Sequence, residues 1–343
     1  MTKTLSPLIP LALTGTLLGG LLSVSASAAT PLPRIIGGTT ASDEQFPWQA
    51  AIIANAAMPY DSFTCGGSII NANWILTAAH CAESNARTVV VGTQNLNDLS
   101  SAQKITVKRW IKHPDYVDES ATSGILYDND IALIELLTPI DMTACGTKCA
   151  TISLADSTNE SSLTALSTPV ILSGWGETTG ATDENQKVYP NLLQWAQMNI
   201  VDCSASPSLI SASDISASMM CATVSDYSID ACSGDSGGPL VTSATDGVGY
   251  VQVGVVSFGY GCATPNYPGV YTRVAKYAEW IYSTTDGACC TTVVPPTPIV
   301  PGDKPIVDPV TKSAKGGGGF LQFGLLLASS LLLLRRTHRR NQH

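Results

Sequence analysis

The body of the chain predicts an all-β fold. Between residues 35 and 290 it is built from many short apolar runs punctuated by Gly, Asn, Asp and Pro, the pattern of strands joined by turns. A single helix is predicted near the end of this body, where Val274, Tyr277, Ala278 and Ile281 recur at i, i+3, i+4, i+7. A body of about 250 residues has ample material for a core.

The segments before and after it have other compositions. Leu8 to Val24 is apolar, follows Lys3, and ends at Ala26-Ser27-Ala28, a small-x-small cleavage signature. Residues 1–28 therefore read as an export signal, with 29–34 as a short pro-segment and 35–290 as the folded domain. Residues 291–315 are rich in Pro, Val and Thr and read as an extended linker. Residues 316–343 hold Gly316 to Gly319, an apolar run Phe320 to Leu334 and a basic end beginning Arg335-Arg336. The run is 15 residues, short for a permanent span at about 22 Å as a helix. Its flanking arginines would keep the C-terminus in the cytoplasm. The layout resembles the bacterial GlyGly-terminal sorting tail, which an intramembrane rhomboid-type protease cuts before surface transfer or release. A single-pass anchor is the plainer alternative, and a GPI-type signal fits less well because of the basic end. The expectation is an exported protein, extracellular or at the cell surface, in contact with membrane at least transiently.

The domain has 9 Lys and Arg against 25 Asp and Glu, a net charge of about −16. That excludes nucleic acid as an expected partner and favours cationic ones.

The chemistry is concentrated in Gly234-Asp235-Ser236-Gly237-Gly238-Pro239. A serine on a Gly-rich turn exposes its hydroxyl and leaves backbone N–H groups open to a reacting carbonyl. The hydroxyl needs a base. Of four histidines, His338 and His343 lie in the basic end, leaving His80 and His113. A carboxylate must orient the imidazole. Asp130 opens the apolar run Ile131-Ala132-Leu133-Ile134, a predicted core strand where an acid is costly unless paired. Asp128 lies two residues away on the same side, and spacing alone does not separate the two.

These segments together resemble the chymotrypsin/trypsin family of serine proteases over about residues 35 to 285. The resemblance rests on Ile35-Ile36-Gly37-Gly38, Cys65-Gly66-Gly67-Ser68-Ile69, Trp74 to Cys81, Ser173-Gly174-Trp175-Gly176, Gly234 to Pro239 and Pro268 to Val274. It implies two six-stranded antiparallel β-barrels with a C-terminal helix and the site in the cleft between barrels. It assigns the triad to His80, Asp130 and Ser236 and makes His113 structural. Ser236 would attack the scissile carbonyl, His80 would carry the proton, and Asp130 would fix the imidazole tautomer. The N–H groups of Gly234 and Ser236 would form the oxyanion hole.

The same resemblance puts Asp230 at the floor of the S1 pocket, with Ser257, Gly259 and Gly269 along its walls, for a P1 Arg or Lys. Phe258 stands where most relatives carry tryptophan. Arg34-Ile35 resembles a zymogen cleavage site, whose cutting would free the Ile35 amino group to pair with Asp235. That bond itself has Arg at P1, which an Asp230 pocket would prefer, so self-activation and cutting by another protease both stay open.

Ten cysteines in an exported chain imply disulfides. The resemblance implies Cys65–Cys81, Cys203–Cys221 and Cys232–Cys262, and lacks a further common bridge because Val170 and Thr242 occupy its positions. Cys145 and Cys149 are close enough to pair locally. Cys289 and Cys290 could pair with each other, with 145/149, or with another chain. No cofactor or metal is expected, and the stretch Gly92 to Lys104 lacks the paired acids of a calcium loop. The expected function is thus an exported, zymogen-derived serine endopeptidase cutting proteins or peptides after Arg or Lys. The alternative is a catalytically inactive, surface-displayed binding module on the same fold.

Overall fold

A computed structural model describes residues 35–288, except Ala56, Met58, Pro59, Asn85 and Ser206. The export signal, Arg34, Cys289, Cys290, the linker and the tail lie outside the described residues. Among the described residues, no helix is long and apolar enough to cross a membrane.

The short β1 (Thr39–Thr40) leads into six strands that close on themselves: β2 (Gln49–Ile53), β3 (Phe63–Asn71), β4 (Trp74–Thr77), β5 (Thr88–Val91), β6 (Gln103–Lys112) and β7 (Ala132–Leu136). Their cyclic order is β2-β3-β4-β7-β6-β5, antiparallel throughout. β-Branched and aliphatic side chains on β2, β4, β5 and β7 are fully buried and fill this first barrel.

After β8 (Ser153–Leu154) come β9 (Pro169–Gly174), β10 (Gln194–Val201), β11 (Met219–Thr223), β12 (Pro239–Ser243), β13 (Tyr250–Phe258) and β14 (Gly269–Arg273). They run β10-β11-β14-β13-β12-β9, and pairing of β9 with β10 closes the second six-stranded barrel. β1 joins it on β10, and β8 adds a parallel edge to β13. Val170 on β9 and Thr242 on β12 sit one step beyond the pair Val241–Ile171. Both are buried, and Thr242 Oγ1 donates to Pro169 O at 2.8 Å, so a buried aliphatic side chain and a hydrogen-bonded hydroxyl stand where the further bridge would be.

The predicted helix is present with a tighter start. Val274–Tyr277 is a 3₁₀ turn, and α-helix runs only over Ala278–Thr284. A 3₁₀ turn commonly opens an α-helix, and the predicted apolar face is kept, with Val274 and Ile281 both fully buried.

Buried polar bonds stitch the barrels together. Ser68 Oγ on β3 donates to Gln252 Oε1 on β13 at 2.6 Å, and Ser173 Oγ on β9 donates to Gln49 Oε1 on β2 at 2.7 Å. These bonds fix the cleft geometry, since each satisfies groups that would be costly to bury alone.

Candidate active site

His80 opens a 3₁₀ turn (His80–Ser84) that follows β4 after Ala78 and Ala79, and the Cys65–Cys81 disulfide ties that turn back to β3. Asp130 immediately precedes the β7 run and is fully buried. Its Oδ1 accepts the His80 backbone N–H at 3.0 Å. Its Oδ2 accepts both His80 Nδ1–H at 2.8 Å and Ser257 Oγ at 2.6 Å, and its backbone carbonyl accepts Thr272 Oγ1 at 2.7 Å. The His80 turn and β13 therefore hold the carboxylate, and β14 holds the backbone of the same residue.

Asp128 is turned elsewhere. Asn129 between the two acids has φ +57°, which breaks strand alternation. Asp128 accepts instead from Ser216 Oγ at 2.6 Å and from Ser218 Oγ. The ambiguity that spacing left is resolved by this one left-handed residue.

Burial pulls the His80 pKa down, but attraction to Asp130 and the hydrogen bond between them outweigh it, leaving the pKa raised above 6.5. The aromatic wall beside His80 is a feature sequence reasoning missed. Tyr127 meets the imidazole edge-on at 6.1 Å between centroids and stacks on Phe258 at 5.3 Å. His113 packs edge-on against Tyr277 and Trp280, at 5.1 and 5.0 Å.

Ser236 sits in a turn pinned from both barrels. Gly66 N–H donates to Ser236 O at 2.8 Å, and Gly237 N–H donates to Val256 O at 2.9 Å. A Cβ on Gly237 would lie 2.1 Å from Thr77 Oγ1 and 2.6 Å from Gly66 O, so only glycine lets the turn approach β3 and β4 this closely. Among the described residues Ser236 Oγ has no hydrogen-bond partner, and His80 Nε2 lies 3.8 Å from Cys81 Sγ.

Ser236 also lines a cavity of about 260 Å³ together with Asp230, Ser257, Gly259 and Gly269. The Cys232–Cys262 bridge crosses its wall. A Cβ on Gly269 would sit 2.7 Å from Asp230 Oδ1. Asp230 is 4 % exposed. Its Oδ2 accepts Ala263 N–H at 2.9 Å, while Oδ1 is buried without a hydrogen-bond partner among the described residues. Burial, only partly offset by backbone hydrogen bonds from Ala263 and Ala231, pushes its pKa up to about 7. An unsatisfied acceptor at the base of a pocket is a receptor for a donor or a cation.

Asp235 points inward and is fully buried. It accepts Gly176 N–H at 2.8 Å and Cys232 N–H at 3.0 Å, and it has no cationic partner among the described residues. Burial pushes its pKa up to about 7, opposed by those two hydrogen bonds, with a further push from nearby Glu177. Ile35 is fully buried too, and Ile36 pairs with Asp230 in an antiparallel bridge.

The structure joins Cys203 to Cys221 and, locally, Cys145 to Cys149. Among the described residues two groups have metal-like spacing, Cys65/His80/Cys81 and Glu177/Cys232/Cys262. In both, the sulfurs are consumed in disulfides and offer no thiolate.

The sequence profile of the family described as Trypsin matches residues 35–281. The chain is 35 % identical over 252 residues to trypsin of Sus scrofa, covering 73 % of this chain and 95 % of that protein. It is 37 % identical over 268 residues to anionic trypsin of Canis lupus familiaris, covering 76 % and 94 %. Complement factor I of Mus musculus is 38 % identical over 263 residues, 75 % of this chain and 40 % of that protein. Among solved structures, neuropsin, a serine protease expressed in the limbic system of mouse brain, superposes with a TM-score of 0.59 at 32 % identity, over 73 % of this chain and 99 % of that one. With both barrels present and a family match spanning most of its length, the chain belongs to the trypsin family of serine proteases.

Proposed function

We propose that the chain is an exported serine endopeptidase, made as a zymogen, that cuts protein or peptide substrates after Arg or Lys. The observation that carries this reading is one cleft in which the hydrogen-bonded His80–Asp130 pair is linked through Ser257 to a pocket lined by both Ser236 and Asp230. In the proposed reaction Ser236 Oγ bonds to the scissile carbonyl carbon as its proton passes to His80 Nε2. The oxyanion takes hydrogen bonds from the N–H groups of Gly234 and Ser236. Collapse breaks the C–N bond, and His80 returns the proton to the leaving amine. Water then repeats the sequence on the acyl-enzyme, releasing the acid.

Activation is part of the proposal. Cleavage after Arg34 would place a new amino group on buried Ile35, the counter-charge that buried Asp235 lacks. Residues 1–28 would direct export, 291–315 would act as a spacer, and 316–343 would engage a sorting protease or membrane. These assignments rest on composition and order.

The test is a set of matched peptides with Arg, Lys, Phe or Ala at P1, given to the protein cleaved after Arg34. Turnover concentrated on Arg and Lys is expected, and absent in Ser236→Ala. Turnover centred on Phe would remove the Asp230 assignment. No turnover from the folded, cleaved protein would remove the activity altogether. A pH profile adds a second expectation. His80 works as a base only when neutral, and its pKa is raised, so kcat/KM on a neutral-P1 peptide should climb through a midpoint above 6.5. A midpoint below 6.5 would contradict the Asp130–His80 coupling.

A further inference from the structure

Glu177 is a fully buried acid that the proton-transfer chemistry leaves unused. Its side chain gathers the loop that follows it. Oε1 accepts Thr179 N–H at 2.6 Å, Thr179 Oγ1, and Val188 N–H at 3.4 Å, while Oε2 accepts Gly180 N–H at 2.8 Å. Val188 O in turn accepts Thr178 N–H at 3.1 Å and Thr178 Oγ1 at 2.9 Å. Burial pushes the Glu177 pKa up, but the hydrogen bonds from Thr179, Gly180 and Val188 outweigh it, and the pKa is lowered overall. The charged form is thus the one that closes the segment 177–188.

The backbone of the same residue reaches the nucleophile loop. Glu177 N–H donates to Ser233 O at 2.8 Å. In a trans peptide the C=O and N–H point in opposite directions. Anchoring the Ser233 carbonyl on Glu177 therefore aims the Gly234 N–H away from Glu177. The packing is close, since a Cβ on Gly234 would lie 3.2 Å from Gly176 Cα. The competing state is a flip of the Ser233–Gly234 peptide, with the carbonyl turned where the N–H should be. The Glu177 N–H bond to Ser233 O opposes that flip directly.

We infer that Glu177 is a positioning residue for the oxyanion hole. Its carboxylate fixes the segment that begins at its own backbone, and that backbone fixes the peptide whose N–H is to meet the oxyanion. The inference rests on the proposed serine-protease reading. Sequence alone shows only an acid after Trp175-Gly176, with no sign that it turns inward.

Two probes separate this role from general support of the fold. An arginine-aldehyde peptide adds Ser236 Oγ to its carbonyl, and the resulting oxygen takes the oxyanion position. Benzamidine needs only the Asp230 pocket. In the full-length protein cleaved after Arg34, Glu177→Gln would keep one acceptor oxygen but turn an NH₂ toward the Gly180 N–H. Glu177→Ala would remove both oxygens. Loss of a whole oxyanion donor costs about 10²–10³ in rate, so a weakened donor is expected to cost about 10-fold in kcat for Gln and ~10–100-fold for Ala. Aldehyde affinity should weaken in proportion, with KM and benzamidine affinity held within about twofold. Unchanged kcat and aldehyde affinity would overturn the inference, and so would loss of benzamidine binding in the same proportion as aldehyde binding. A wild-type protein that neither binds benzamidine nor turns over Arg peptides would instead defeat the underlying protease reading.

Discussion

Asp130→Asn is expected to lower kcat at neutral pH by about 10⁴-fold with little change in KM. That magnitude is the one known for this substitution in a chymotrypsin-fold protease, whereas the direction follows from the bonds of this site. Oδ1 accepts one donor, the His80 backbone N–H, and Oδ2 accepts two, His80 Nδ1–H and Ser257 Oγ. An asparagine has one acceptor and one donor end. Placing its oxygen at the Oδ2 position sets NH₂ against the backbone N–H, which cannot reverse its role. Placing its oxygen at Oδ1 sets NH₂ against Nδ1 and Ser257 Oγ, which both can. Ser257 rotates to accept, and His80 shifts its proton to Nε2. The second arrangement has no clash, so it prevails, and it leaves Nε2 protonated and unable to take a proton from Ser236. Steady-state kinetics with an NMR assignment of the His80 tautomer would check this. A loss below about 100-fold, or a retained Nδ1–H, would show that Asp130 does not set the tautomer.

That argument also shows how far the sequence carried the site. The apolar run after Asp130 was enough to predict a buried strand, and β7 fills the first barrel as expected. Spacing alone did not separate Asp128 from Asp130, because strand alternation puts both on one side, and only the family resemblance chose Asp130. Asn129 at φ +57° undoes the alternation, and no local pattern announces an asparagine that will adopt it. The bond from Ser257 Oγ to Asp130 was equally invisible, since it joins residues 127 positions apart. The family resemblance could place it on a pocket wall but not on Asp130. Tyr127 was missed for the same reason, its ring meeting His80 and Phe258 only after both barrels close. What periodicity and turn chemistry specify is legible locally; what barrel closure brings together is not. The end of the domain shows the middle case, in which the apolar face Val274 to Ile281 was correct while the first turn wound as 3₁₀.

Replacing Asp230 by serine is expected to cost Arg and Lys peptides about 10³-fold in kcat/KM and to leave neutral-P1 peptides nearly unchanged. Asp230 lines the cavity and is 4 % exposed, with one oxygen unpartnered among the described residues. A guanidinium reaching that oxygen would form a desolvated, charge-assisted pair. Removing one member of such a pair costs about 3–5 kcal/mol, because the other charge stays buried alone. A serine hydroxyl cannot replace that charge. The wild-type pocket adds a pH signature. Burial raises the Asp230 pKa to about 7, so below that pH the empty pocket holds a neutral acid. A cationic P1 side chain must then displace a proton as it binds, and the penalty grows as pH falls. Dividing kcat/KM for an Arg peptide by that for a matched neutral peptide cancels the titration of His80, which both share. The ratio should therefore be level above about pH 8 and fall as pH drops through 7, approaching tenfold per pH unit. In Asp230→Ser the ratio should be low and flat. A wild-type ratio that is high and independent of pH between 5 and 8 would mean that Asp230 is already ionised in the empty pocket. A ratio near one at every pH would mean that it does not recognise the P1 side chain at all.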